Sequence, residues 1–341
     1  MNSRQLPPYL WTIALLLAVF IFNAAFSPGF FTIEWRDGRL FGSLVDIVNR
    51  AVPVLLLSLG MTLVIATKGV DLSVGAVMAI CGAVAACLIA HPQGSLLKDF
   101  QVESLAGIIA AALLVAVVCG LFNGLLVAKI KVQPIVATLL LMVTGRGIAQ
   151  LLTNGQIVVF EHPEFQALGS GSWFGLPSPI WIFMLSFVLI GLLVHGTAFG
   201  KLAAATGSNE TAARYAGVKV DSIKVWVYVI CAVCAGIAGL IGAADIKAAD
   251  SNNAGLYLEL DAILAVAVGG TAMAGGKFTL VGSVIGAILM QALTTTILTR
   301  GVGAETTSIL KAVVVVAVCL LQSPAFRESY RRILGLGRAQ A

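Results

Sequence analysis

The residues able to do chemistry in this chain are polar side chains set inside long apolar runs. In the run over 134–153, Met142, Arg146, Gln150 and Thr153 fall within about 80° of one another on a helical wheel, and Thr138 extends that face. Asn154 follows at its end. Such a face offers hydrogen bonds to a polar solute. Arg146 lies roughly 18 Å along the helix from Pro134, where a charge faces a bundle interior or water, or else snorkels and ties helix ends together. Ser58 with Thr62, and Gln291 with Thr295, are i, i+4 pairs that suit either a solute hydroxyl or a neighbouring helix. Asp71 and Ser73 sit in the break Asp71-Leu72-Ser73-Val74-Gly75, where the carboxylate either caps the next helix or borders a pathway.

Catalysis finds no support in these residues. The chain has no H-E-x-x-H and no Ser/His/Asp grouping, and its three histidines are scattered, so no metal site is expected. Gly270 to Phe278 is the nearest approach to a phosphate loop. It has one residue too many before Lys277, and Phe278 stands where a hydroxyl should ligate magnesium, so the chain is not expected to hydrolyse ATP itself. Cys231 and Cys234 form a C-x-x-C, but all six cysteines lie in apolar runs and read as small hydrophobes. No row of Asp, Glu and His threads the spans as a proton relay would.

The elements that must position these residues are membrane helices. Of 341 residues 59% are hydrophobic and 11% charged, with a mean hydropathy of +1.00, against about 25% charged in soluble domains. The apolar runs match the 17–25 residues needed to cross hydrocarbon as helix, and barrel-type alternation is absent, so the fold is expected to be all-α. The sequence predicts one transmembrane domain over 1–341 with ten spans: Tyr9 to Phe26, read as a retained helix because the run lacks a cleavage site, then 50–67, 72–90, 104–127, 134–153, 179–195, 222–244, 259–272, 278–299 and 306–322. Residues 27–49 read as loop and interfacial helix. The Gly-rich ends near Lys68-Gly69 and Gly269-Gly270 predict broken helices, which line cavities because freed backbone groups need partners.

Charge sets the orientation. With the N-terminus inside, the cytoplasmic segments hold Arg4, Lys68, Lys129, Lys131, Lys201, Arg214, Lys219, Lys224, Lys277, Arg327, Arg331, Arg332 and Arg338, against Arg36, Arg39, Arg50, Lys98, Lys247, Arg300 and Lys311 outside. The positive-inside rule then places both termini and the 196–221 connection in the cytoplasm. The net charge of +5 reflects this asymmetry and gives no reason to expect nucleic acid; the chain's surroundings are membrane lipid.

The 196–221 connection carries the longest polar insertion, Thr206 to Lys219. Ser208 or Asn209 can cap a short helix, Glu210 and Arg214 suit its two dipole ends, and Gly217 can stop it in the left-handed conformation. A helix so short is marginal alone, so flanking helices or a soluble partner must hold it. On the outer side, Asp245, Asp250, Glu259 and Asp261 are expected to form an acidic cluster, able to cap the next span or to receive a soluble partner.

Lys68 to Gly75, Asn123-Gly124, Arg146-Gly147, the 206–219 stretch and Val268-Gly269-Gly270 through Lys277, in this order over nearly the whole chain, resemble the ribose/xylose/galactose-type ABC sugar permeases. Asp37 to Gly42 and Ala249 to Leu256 look most like a permease of galactofuranose transporters. Lys68 departs from the family, which commonly has Gly or Ser there. The resemblance implies a type II-like importer permease with ten helices in the bacterial inner membrane. The 206–219 helix would couple to the ATPase, with Ala212, Ala213, Arg214 and Tyr215 in its groove. Partners would be a periplasmic sugar-binding protein, a second and different permease forming a heterodimer, and an ATPase with two fused nucleotide-binding halves that alone binds ATP and magnesium. A branched-chain amino-acid permease is the nearest rival; its charged substrate would favour an ionic pathway, whereas a sugar needs neutral hydroxyl-bonding residues and flat rings. An ion-coupled secondary sugar transporter would need an ion site, and a membrane scaffold would not need paired helix breaks.

Overall fold

A computed structural model describes residues 9–27, 29–36, 38–97, 99–100, 102 and 104–322. The apolar runs form helices where the sequence places them: α1 (Tyr9–Phe26), α2 (Ser43–Ala66), α3 (Val74–Ala90), α4 (Leu105–Ala128), α5 (Pro134–Leu152), α7 (Ser178–Gly196), α10 (Val220–Ile246), α11 (Leu258–Val268), α12 (Leu280–Thr299) and α13 (Ala304–Gln322). Among the described residues, seven of these are long and apolar enough to cross a membrane; α3 is shorter, and α11 and α13 are not among the seven. At 1.5 Å per residue α11 reaches only about 17 Å, well short of a hydrocarbon core of about 30 Å.

Two boundaries differ from expectation. Helix α2 starts at Ser43, inside the stretch expected to be loop and interfacial helix, with Asp46 in its first turn and Pro53 carried within it. One continuous helix thus runs from Ser43 through Asn49 and Arg50 into the buried stretch from Val54. Helix α11 stops at Val268, because Gly269 and Gly270 turn the chain away.

The core lies along α2 and α10. From Val54 to Ala66 every α2 residue is buried, and α10 buries Tyr228, Cys231, Ala235 and Ala238 against it. The two helices cross at Gly60, where a Cβ would lie 2.6 Å from the Cα of Cys231. Around this pair, α1, α4, α5 and α7 present large exposed apolar residues such as Ile21, Leu114, Val143 and Leu185, the surface a lipid-facing helix needs. The small strands are connectors. Strand β1 (Glu34–Arg36) pairs with β2 (Arg39–Phe41), β3 (Val158–Val159) with β6 (Ala248–Ala249), and β4 (Ser172–Trp173) with β5 (Leu176–Pro177), all antiparallel. Through β3 and β6 the exit of α5 is tied to the exit of α10. Helix α6 (Pro163–Ser170) packs on the end of α10, and α8 (Phe199–Ser208) and α9 (Glu210–Tyr215) fill the 196–221 connection.

Candidate functional site

Two breaks organise the polar residues. After α2 the chain turns through Lys68, at φ +64, and Asp71 closes the turn: its Oδ1 accepts from the Ser73 amide at 2.9 Å and the Ser73 hydroxyl at 2.6 Å. Asn123 of α4 donates to Ser73 Oγ at 2.9 Å. All three side chains are buried, and the Asn123 Oδ1 and Tyr228 hydroxyl oxygens beside them are buried with no hydrogen-bond partner. Asp71 therefore shapes the break that starts α3, and Ser73, at the helix start, makes no side-chain cap.

The second break follows α10. Asp250 Oδ1 accepts from the amides of Asn252 and Asn253 at 3.0 and 3.1 Å, curling residues 250–257 back on themselves. The polar face of α5 holds that loop. Arg146 donates to the carbonyls of Ser251 at 3.2 Å and Ala254 at 2.6 Å, Gln150 donates to Asn252 Oδ1 at 2.8 Å, and the hydroxyls of Thr153 and Ser251 lie 2.8 Å apart. A loop that leaves helix geometry leaves carbonyls without intrahelical partners, and the Arg146 guanidinium satisfies two of them. Of the two readings open for Arg146, the structure has the one that ties backbone together. Asn154, at φ +51, donates to the Gln93 carbonyl at 3.2 Å.

The two breaks touch. Gly75, at the start of α3, and Gly255, before α11, are in backbone contact, and the Glu259 carboxylate reaches the same spot: a Cβ on Gly75 would lie 2.6 Å from Glu259 Oε2. Of the acidic residues expected to cluster, Asp250 and Glu259 both lie near Arg146 and Glu259 lies near Asp261, while their direct partners differ. Glu259 is buried at the break, Asp250 is spent on its turn, and Asp261 pairs with Lys311 of α13 at 2.9 Å. Asp245 stays exposed with Arg50, both lining a cavity of about 340 Å³ that Gln291 and Thr294 also border.

The remaining candidates are placed as follows. Thr62 donates to Ser58 O and bonds Ser283 Oγ of α12 at 2.7 Å, and Ser58 donates to Val54 O, so this pair joins neighbouring helices inside the core. Thr138 bonds its own helix and the Val70 carbonyl. Gln291 donates to Thr295 at 3.3 Å.

On the opposite side, Asn209 caps α9 by accepting from the Ala212 amide at 3.0 Å, while Ser208 ends α8 and bonds Ala204 O. Gly217 takes the left-handed conformation, at φ +83. Arg214, expected to reach outward, is bound within the chain to Glu210 and Asp221, and Lys224 donates to Glu210 Oε2 at 2.6 Å. Burial alone would raise the Glu210 carboxyl, but hydrogen bonds from Lys224 and Arg214 outweigh it and hold the group below its ordinary value. Ala213, expected to face a partner, is buried against this chain; Ala212 and Tyr215, the latter 88% exposed, are the outward side chains. A six-residue helix shows no period from which sequence could tell the two alanines apart.

Sequence reasoning missed how this connection meets the breaks. Gly207 is buried, and a Cβ there would fall on the Ala66 carbonyl oxygen and 2.7 Å from the Gly276 amide nitrogen; that amide donates to Ala66 O at 2.9 Å. The end of α2, the end of α8 and the loop between α11 and α12 are therefore joined backbone to backbone. The one available signal was glycine at 207 and 276. Among the described residues no group of three or more His, Cys, Asp or Glu could hold a metal.

This helical arrangement has known relatives. The chain is 49% identical to the galactofuranose transporter permease protein YtfT of Escherichia coli K12, over 92% of this chain and 89% of that one. It is 37% identical to the ribose import permease protein RbsC of the same organism, over 91% and 92%, and 36% identical to the fructose import permease protein FruF of Bifidobacterium longum, over 92% and 87%. No solved structure matches. A family model described as branched-chain amino acid transport system / permease component matches residues 43–319, from the first turn of α2 into α13, and to that family of transport permeases the chain belongs.

Proposed function

We propose that this chain is the membrane-spanning permease subunit of an ATP-driven importer that carries a monosaccharide, galactofuranose in the first instance, across the bacterial inner membrane. The observation that carries this reading is the match at 49% identity, along nearly the full length, to a galactofuranose permease. Ribose and fructose permeases align over the same span, which favours a sugar over an amino acid as cargo.

In this reading ten helices cross or enter the membrane in a type II-like arrangement, with both termini and α9 in the cytoplasm. The chain itself binds no nucleotide. Helix α9 docks into an ATPase with two fused nucleotide-binding halves, offering Ala212 and Tyr215, while Glu210, Arg214, Asn209, Ser208 and Gly217 keep it rigid. A second, different permease completes the pathway, and a periplasmic sugar-binding protein delivers the cargo, with Asp245 on the outer surface within its reach. ATP-driven movement of α9 passes through Gly207 to Ala66 and Gly276, and so to the ends of the two broken segments.

Co-expression with a candidate binding protein, ATPase and second permease tests the proposal. ATP-dependent uptake into proteoliposomes is expected for galactofuranose and is to be compared with ribose, fructose and leucine. Uptake of leucine, or uptake that follows an ion gradient without ATP, overturns it.

A further inference from the structure

Beside the second break the surface opens into a groove of about 500 Å³, bordered by Leu256, Tyr257, Leu260, Asp261, Leu264 and Lys311. Its polar part is the Asp261–Lys311 ion pair, which joins α11 to α13. Lys311 lies about 10 Å along α13, and Asp261 follows Glu259, whose carboxylate reaches the meeting point of the two breaks. A charged pair between helices of a membrane protein is costly against hydrocarbon and normally borders water or a substrate path.

Tyr257 adds a second, independent observation. It precedes α11 in the left-handed region, at φ +63, where a bulky non-glycine residue is an outlier, and its side chain is 65% exposed. Conformations of this kind persist where the surroundings enforce them and cluster at ligand sites. The groove thus offers a flat aromatic face, a carboxylate acceptor and an ammonium donor. Its formal charges cancel, so it favours neither an anion nor a cation. One apolar face with hydroxyls pointing both to a donor and to an acceptor describes a neutral monosaccharide.

We propose that this groove is the sugar contact that this subunit supplies to the translocation path: Tyr257 stacks on the ring, Asp261 accepts from hydroxyls and Lys311 donates to them. The inference rests on the sugar-permease reading above, and its test separates the two. The full chain is assembled with its partner permease, ATPase and binding protein in proteoliposomes, and uptake of radiolabelled D-galactofuranose, D-ribose and D-fructose is measured at matched protein levels. Tyr257→Ala and Asp261→Asn are expected to lower uptake about tenfold or more, while Tyr257→Phe keeps it within about twofold. Recovery of the ATPase should be unchanged in all three. In a cysteine-free background, Tyr257→Cys should react with a charged methanethiosulfonate reagent, more slowly during sugar turnover. Wild-type import with undiminished uptake by Tyr257→Ala and Asp261→Asn overturns the groove assignment alone. So does a Tyr257→Cys that the reagent cannot reach and that cross-links to the second permease, which would make the groove a permease interface. A wild-type assembly that imports none of these sugars overturns the sugar reading and the groove with it.

Discussion

Gly75 and Gly255 meet where the two broken segments converge, and neither leaves room for a side chain on the other: a Cβ on Gly255 would lie 2.5 Å from the Gly75 carbonyl oxygen. Gly255 is also left-handed, at φ +69. Each alanine substitution is therefore expected to destabilise the fold by about 1–3 kcal/mol, with Gly255→Ala the worse because of its backbone angle. Gly147→Ala is the control, since nothing lies within 4 Å of a Cβ there, and it should stay within about 0.5 kcal/mol. Thermal unfolding of the purified permease in detergent checks this; equal midpoints for Gly255→Ala and Gly147→Ala would show slack at the junction.

Arg146 fastens the loop that leads to Gly255. Arg146→Met removes the donor to Ser251 O and Ala254 O, a loss of about 1.5–3 kcal/mol for hydrogen bonds from a charged group. Arg146→Lys should recover only part, because one ammonium lacks the guanidinium fork. Amide hydrogen exchange over 250–257 reads the outcome. Protection in Arg146→Met equal to wild type would mean that α5 does not hold the loop.

At the 196–221 connection the two alanines should separate cleanly. Ala212→Glu and Tyr215→Ala act on exposed positions, so the chain should fold as before yet lose recovery of the ATPase in pull-down. Ala213→Glu instead buries a carboxylate against the chain's own helices, a cost of several kcal/mol that should appear as lower permease levels. Full ATPase recovery by both Ala212→Glu and Tyr215→Ala would remove α9 as the docking element.

The depressed Glu210 carboxyl gives a sign to the pH response. A group held below its unfolded value contributes stability above that value and loses it as pH falls through the folded one. Wild type should therefore lose stability relative to Glu210→Gln on acidification below the ordinary carboxylate range near 4.3, with no difference in trend between pH 6 and 8. Parallel curves for the two proteins down to pH 3 would contradict the network.

Topology is checked by single-cysteine labelling in a cysteine-free background. Asn252→Cys, Glu164→Cys and Phe100→Cys, all at exposed positions, should react with an impermeant maleimide from the periplasm, and Thr211→Cys should not. Periplasmic labelling of position 211 would reverse the orientation.

Much of this arrangement is legible in the chain because apolar length and glycine punctuation are local signals. The spans, the Asn209 cap and the Gly217 stop follow from them. The partners of polar residues do not, since they are decided by which helices cross. Asp245, Asp250, Glu259 and Asp261 are near one another in sequence, yet Asp250 bonds its own turn, Glu259 is buried at the break and Asp261 pairs with Lys311, partners that only the folded loop decides. Thr62 could read as facing a pathway until Ser283, 221 residues away, turns out to be opposite it. Arg146 announces a charge at depth, but only the curled loop shows that its ligands are carbonyl oxygens.

The absence of a side chain at Gly207 has a mechanical consequence. A joint made through long side chains has play, because each rotamer change absorbs part of a displacement before the next segment moves. Here main chain bears directly on main chain at Ala66 and Gly276, so a displacement at the end of α8 meets no side chain that could absorb it before it reaches those two segments. The same stiffness makes the outer face of α9 separable from the joint. The exposed positions Ala212 and Tyr215 can change while the bearing surface beneath stays as it is.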